Sequence, residues 1–296
     1  MTDSTATLRH QIGSATDLQS VVRTMRALAA SRIHQYEQSV LALADYWQTV
    51  NLGLGACLRL SGATEAPPSH RPHPAATVGA IVFGSDQGLV GRFNEVIVDH
   101  ATQALRAMRG RPVVWAVGER VRARLTDAGI AVEGSYPEPT SVEAIAPLID
   151  RLQFDTETHP SQRASPHIHM FFNQPQSGAL YEPVDQRLLP LDEAWRTQWT
   201  RQAWPTTARP EVIGNGAMTL RSLIREHLFI ALYRACAASL ASENASRLAA
   251  MQRADKNIDE LLGHLRGRYR SERQSAIDEE LFDVVAGAGS AQRAPW

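Results

Sequence analysis

A chain of 296 residues, 44% hydrophobic and 21% charged, has the mixture of an ordinary soluble protein and length enough for about two domains. The formal net charge is -1, and there is no basic tail, arginine-glycine tract or finger-type Cys/His spacing, so nucleic-acid binding is not expected. No run approaches 18 uninterrupted apolar residues, and Met-Thr-Asp-Ser-Thr-Ala-Thr at the start lacks the basic and apolar parts of a secretory signal, so the expectation is a cytosolic chain without a membrane span.

Leu8, Ile12, Ala15, Leu18, Val22, Met25, Ala29, Ile33, Tyr36, Val40, Leu43, Trp47, Val50 and Leu54 follow one another in steps of three and four. That spacing predicts a long helix with one narrow apolar seam, running without proline to Pro67-Pro68. A seam this narrow needs a partner helix. The segment from Ser61 to Ala76 carries Gly62, Pro67, Pro68, Pro72 and Pro74 and reads as a linker.

After the linker the period changes. Thr77 to Phe83, Pro112 to Val117 and His167 to Phe172 read as buried strands, with helices over Phe93 to Met108 and Glu119 to Ala128 between them. Alternating strands and helices predict a small α/β domain whose parallel sheet is covered on both faces. From Gln186 to Trp204 the pattern is weaker; Trp195, Trp199 and Trp204 suggest a short helix packed back on the domain.

From Pro210 no proline occurs until Pro295. Leu240, Asn244, Leu248, Met251, Asp255, Ile258, Leu262, Leu265 and Tyr269 keep steps of four and three, a second seam with two polar interruptions. Roughly 75 helical residues would span about 110 Å, too long for a core helix throughout. The economical arrangement is an antiparallel coiled coil of the two chain ends: a helix over 1–60, an α/β domain over 77–205 and a helix over 210–289.

Chemical motifs are sparse. Gly84-Ser-Asp-Gln-Gly-Leu-Val-Gly-Arg-Phe-Asn94 is glycine-rich but spaced G-x-x-x-G-x-x-G, without G-K-[ST], so it reads as a tight strand-to-helix turn and not as a nucleotide cradle. No cofactor is expected. His167 and His169 share a strand face without a nearby Cys, Asp or Glu in sequence to complete a metal site, and His70 and His73 fall in the linker. Asp278, Glu279 and Glu280 fan out around a helix as solvated charges, and no nucleophile-base pattern is present, so catalytic residues are not assigned. Cys57 and Cys236 are read as two buried thiols.

Four stretches, in order, carry a resemblance: Val22-Arg-Thr-Met-Arg-Ala-Leu-Ala-Ala-Ser-Arg32, Ser85-Asp-Gln-Gly-Leu-Val-Gly-Arg-Phe-Asn94, Leu240-Ala-Ser-Glu-Asn-Ala-Ser-Arg-Leu-Ala-Ala-Met251 and Tyr269-Arg-Ser-Glu-Arg-Gln-Ser-Ala-Ile-Asp-Glu-Glu-Leu281. They are similar to the signatures of the gamma subunit of F-type rotary ATP synthases. The resemblance implies a non-catalytic central shaft inside a hexamer of alpha and beta subunits, with the α/β domain at the foot against the epsilon subunit and the membrane ring of c subunits, peripheral on the cytoplasmic face of the plasma membrane. By the same resemblance Arg247, Gln274 and Asp278 stand where the shaft touches a catch loop of beta. Asp86, Gly88 and Val90 lie in the turn that meets beta's acidic lever, and Arg209 near the ring. The family usually has Arg at Gln87, Cys at Val90, Gly at Arg92, Lys at Arg26 and Arg32, and Thr at Asp278, so the chain resembles a divergent bacterial form such as the alternate, second-operon type. The residues alone leave two rival classes, a Rossmann-like nucleotide-binding enzyme and a free-standing coiled-coil scaffold.

Overall fold

A computed structural model describes residues 5–60, 77–108, 110–161, 167–176, 179–208 and 210–291. Two long helices dominate the chain ends: α1 over Thr5–Ala42, followed after Leu43 by α2 over Ala44–Leu60, and α7 over Gly216–Ala291. The expected single N-terminal helix is thus interrupted by one turn residue, and Trp47 N–H still donates to the Leu43 carbonyl at 2.8 Å. Between the long helices lie β1 (Thr77–Phe83), α3 (Phe93–Ala107), β2 (Arg111–Val117), α4 (Glu119–Asp127), β3 (Val132–Tyr136), α5 (Ile145–Thr158), β4 (Ile168–Gln176), β5 (Ala179–Leu189) and α6 (Glu193–Arg201). The chain forms two compact units, one combining the residues up to Leu28 with those from Leu248 on, the other running Ala29–Arg247.

In the first unit, α1 and α7 are antiparallel: Arg9 Nη2 donates to the Tyr269 hydroxyl at 3.1 Å, while Arg26 Nη1 reaches Asp255 Oδ2 at 2.8 Å. Ala15 and Val22 pack with Met251, Ile258 and Leu262, all nearly inaccessible to water. The seam expected through Leu18 passes instead through Gln19, which is 7% exposed while Leu18 is 54% exposed. Two three-residue steps in a row, Ile12 to Ala15 to Leu18, drift off one face of a helix with 3.6 residues per turn; the four-residue step from Ala15 to Gln19 restores the line. Gln19 Nε2 donates to Asp255 Oδ1 at 3.2 Å and to Asp259 Oδ1 at 2.5 Å, so the seam's polar interruption is a matched layer.

In the second unit the sheet order is β3-β2-β1-β4-β5. β1 lies at the centre, parallel to β2 from Thr77 opposite Arg111 to Phe83 opposite Val117, and parallel to β4 with Gly79 opposite Ile168. β3 extends the parallel set beyond β2, and β5 closes the other edge antiparallel to β4. The sheet is therefore parallel over four strands with an antiparallel fifth, an ordinary departure for an α/β fold.

The strand alternation explains the layers. Val78, Ala80 and Val82 face α3 and α4, meeting Ile97, Ala101 and Leu125. Ile81 and Phe83 face the opposite side, against Ile149 and Leu152 of α5 and against Leu232 and Leu240 of α7. Tyr36 of α1 joins that second layer. Because the sheet lies on one side of α7 and α1 packs with it too, α7 is buried nearly all round from Ile230 to Asn244, and small residues let the layers close: Ala231, Ala235, Ala237 and Ala241. α6 begins where the Asp192 carboxylate caps the Trp195 N–H at 2.8 Å.

Candidate subunit-contact site

The turn between β1 and α3 leaves the sheet's centre at the carboxyl end of β1, and its own polar side chains hold it. Asn94 Oδ1 accepts from the Ser85 N–H at 3.0 Å, Asn94 Nδ2 donates to Ser85 Oγ at 2.8 Å, and Ser85 Oγ donates to the Gln87 carbonyl at 2.9 Å. Close approach also requires Gly118, whose φ is 109°: a Cβ there would stand 2.8 Å from the Ser85 nitrogen. The glycine-rich stretch thus packs tightly against the next strand-to-helix turn, as its spacing suggested.

Asp86 ties three segments. Its Oδ1 accepts from the Glu119 N–H at 2.8 Å, at the first turn of α4, and its Oδ2 accepts from the Glu138 N–H at 3.0 Å, in the loop between β3 and α5. In return the Asp86 N–H donates to Glu138 Oε2 at 2.9 Å. A carboxylate at a helix N-terminus meets unpaired N–H donors and the positive end of the helix dipole, so this placement stabilises both loop and helix.

The turn then docks on α7. Val90 is 3% exposed and its carbonyl accepts from Ser246 Oγ at 2.5 Å. Leu89 adopts φ 63°, unusual for a branched residue, and stays 61% exposed at the tip. Gly88 lies half-buried beside Arg120.

Next to Ser246, Arg247 is 7% exposed and points inward: Nη2 pairs with Glu243 Oε1, and Nη1 reaches Asn244 Oδ1 at 3.4 Å. Glu243 is fully buried; burial, then the neighbouring Glu138 carboxyl, push its pKa well above the usual carboxylate range, against the opposing pull of Arg247. Tyr36 is pushed up to about 12, chiefly by burial.

Asp86, Gly88 and Val90 therefore share one loop, which is tied to α7 through Ser246, the residue before Arg247. Gln274 and Asp278 belong to the other unit, both exposed and four residues apart on one side of α7, in a stretch where Ile277, Leu281 and Phe282 are also exposed. Arg209 lies outside the described residues. Glu138 and Glu243 were missed by sequence reading; Glu243 stood inside a quoted signature without a role, and Glu138, between Pro137 and Pro139, carried no periodic signal.

His169 Nδ1 is 2.7 Å from Asp185 Oδ1, and the His167 and His169 rings are 5.3 Å apart, yet among the described residues no group of three His, Cys, Asp or Glu side chains is placed to hold a metal. Cys57 and Cys236 are both buried, and neither is in a disulfide. No described helix is long and apolar enough to cross a membrane.

Antiparallel terminal helices in one unit and a five-stranded α/β sheet in the other are the two parts of a known class, the central-stalk fold seen in solved ATP synthases. A family model described as ATP synthase matches residues 4–290, and the chain belongs to that family. Curated relatives named ATP synthase gamma chain cover it almost end to end. The one from Anaeromyxobacter sp. (strain Fw109-5) is 26% identical over 95% of this chain and 97% of its own length, and the one from Nostoc punctiforme (strain ATCC 29133 / PCC 73102) is 28% identical over 95% and 97%. Among solved structures, a chain of the Euglena gracilis mitochondrial ATP synthase (OSCP/F1/c-ring, rotational state 3) superposes with a TM-score of 0.61 at 13% identity, over 99% of this chain and 97% of that one.

Proposed function

We propose that this chain is the rotor subunit of the central stalk of an F-type ATP synthase, a non-catalytic gamma subunit that couples ion flow through the membrane ring to ATP synthesis or hydrolysis at the beta subunits by rotation. The observation that carries the reading is that one ATP synthase family model spans both helical ends and the sheet-bearing middle, residues 4–290. The physics agrees with the role. Torque passes along a shaft only if it resists bending and winding, and two helices locked by packed side chains resist both better than one helix does.

The partners are alpha and beta of the catalytic hexamer, epsilon and the c ring, with 1–60 and 210–289 as the shaft helices and 77–205 as the foot. Arg247, Gln274 and Asp278 serve the catch-loop side of beta; Asp86, Gly88 and Val90 form the turn that meets beta's lever, presenting Leu89; Arg209 belongs to the face toward the ring. The complex lies on the cytoplasmic face of the plasma membrane. For this assignment the inward-facing Arg247 matters most, because it can meet beta only at its edge or after leaving Glu243.

Affinity capture of the tagged chain from its native host tests the reading. Recovery of alpha, beta and epsilon with nucleotide-hydrolysing activity is expected; recovery of the chain alone, stable and without those partners, contradicts it.

A further inference from the structure

The loop between β3 and α5 meets α7 at two carboxyl groups. Glu243 is fully buried, Oε1 is taken by Arg247 Nη2, and among the described residues no donor reaches Oε2. Its acidic neighbour, within hydrogen-bonding reach, is the Glu138 carboxyl, whose Oε2 already accepts from the Asp86 N–H at 2.9 Å. Two ionised carboxylates so placed repel, and neither can donate to the other.

The remaining groups around them do not relieve this. Tyr36 faces the pair from α1, with Arg32 beside the phenol; Cys236 and Arg247 face it from α7, and Asp86 from the turn after β1. Burial pushes the Tyr36 phenol and the Cys236 thiol up, so both stay neutral. Asp86 has its two oxygens on the Glu119 and Glu138 N–H groups. Arg247 brings one cation into hydrogen-bonding contact, which balances one carboxylate and leaves the second in need of a proton.

We propose that Glu138 and Glu243 share one proton, and that this shared proton clips the turn from Ser85 to Val90 onto α7. The clip acts through Glu138: held by Glu243 on one side, it accepts the Asp86 N–H on the other. Loss of the proton leaves two negative charges against the contacting guanidinium of Arg247, with Arg32 held off beside the Tyr36 phenol, and Glu138 swings toward water with the loop it holds. The pair thereby sets the orientation of Leu89, and its importance in the complex rests on the reading that this turn faces beta; the clip itself is a property of the chain alone.

Hydrogen exchange at the Asp86 amide in the purified full-length chain tests it, followed across the pH range in which the chain stays folded and corrected for the intrinsic rate, together with the denaturant midpoint. In the wild type, protection of this amide is expected at the acid end and a loss of about tenfold per pH unit once the proton leaves. Glu138→Gln keeps an acceptor for Asp86 and supplies an N–H to the Glu243 carboxylate, so protection is expected to persist across the range. Glu138→Ala abolishes it at every pH. Persistence of the wild-type pH dependence in Glu138→Gln, or protection of Asp86 in Glu138→Ala, overturns the proposal. Neither measurement involves beta, so a failed clip and a failed rotor assignment are separately visible.

Discussion

Arg26 and Asp255 face each other across the helix pair with Nη1 2.8 Å from Oδ2, and the same carboxylate accepts from Arg23 Nε at 3.1 Å and from Gln19 Nε2 at 3.2 Å. Three donors from one helix thus converge on one acceptor of the other. A polar layer of this kind fits one register only, since a shift by one turn leaves a largely buried carboxylate unpaired. Its value to the shaft is specificity of alignment, with the apolar knobs supplying cohesion.

Asp255 also gives a pH signature. Partial burial pushes its pKa up, but hydrogen bonds from Arg23 and Gln19 and the charges of Arg23 and Arg26 outweigh this and hold it below the ordinary 3.8. A lowered folded-state pKa means stability that is present above the ordinary value and lost as pH falls through the folded one. Acid unfolding of the full-length chain is therefore expected to be less steep below about pH 4 in Asp255→Asn than in the wild type. Equal steepness would mean that the layer carries no linked charge.

The apolar knobs give the larger effect on stability. Leu262 is 2% exposed and Met251 3%, and truncation of either to Ala is expected to cost about 2 to 5 kcal/mol. Gln252, exposed on the same helix, should cost within about 0.5 kcal/mol when changed to Ala. Denaturant titration of the three variants checks the difference, and similar values for all three would deny the seam.

His227 reports on the other unit. Its ring stacks on Trp47 at 4.6 Å, Nδ1 lies 3.0 Å from Asn51 Oδ1, and Trp195 Nε1–H donates to Nε2 at 3.2 Å. Burial lowers its pKa from 6.5 to about 4, so the native ring is neutral. The unfolded state takes up the proton first. Stability is therefore expected to fall as pH drops below about 6.5, by about 3 kcal/mol in all by pH 4. Tryptophan fluorescence during denaturant unfolding measures this, since Trp47, Trp195 and Trp199 all contact the ring. His227→Gln should flatten the dependence.

The surfaces assigned to partners can be mapped in the assembled complex. A cysteine at exposed Gln274 is expected to cross-link to beta, and one at exposed Thr207 to a ring subunit and not to alpha or beta. Interchanged products would move the foot elsewhere.

What the sequence disclosed followed from its periods. The strands Thr77–Phe83, Arg111–Val117 and Ile168–Gln176 each contain a buried apolar run, Val78 to Phe83, Val114 to Val117 and Met170 to Phe172, and these runs stood out. β3, Val-Glu-Gly-Ser-Tyr, is a short edge strand with glycine in it, and β5 is an edge strand carrying Glu182, Pro183, Asp185 and Arg187; edges need no apolar run and leave a weak signal. α5 was hidden by Pro147, which stands in its first turn, where a missing N–H costs nothing. The turn over Ser85 to Asn94 was legible as a contact element only through resemblance. Its tie to Glu138 and Glu243 joins residues far apart in the chain, and no spacing rule reaches that distance.

Rotation itself is the most direct test of the central claim. A single cysteine at exposed Phe154 on α5 carries a probe, the native thiols Cys57 and Cys236 being buried, and the chain is assembled with its alpha and beta partners fixed to a surface. The account predicts ATP-driven turning of the probe in one direction, stopping when ATP is withdrawn. A probe that stays still while the same complexes hydrolyse ATP would contradict it.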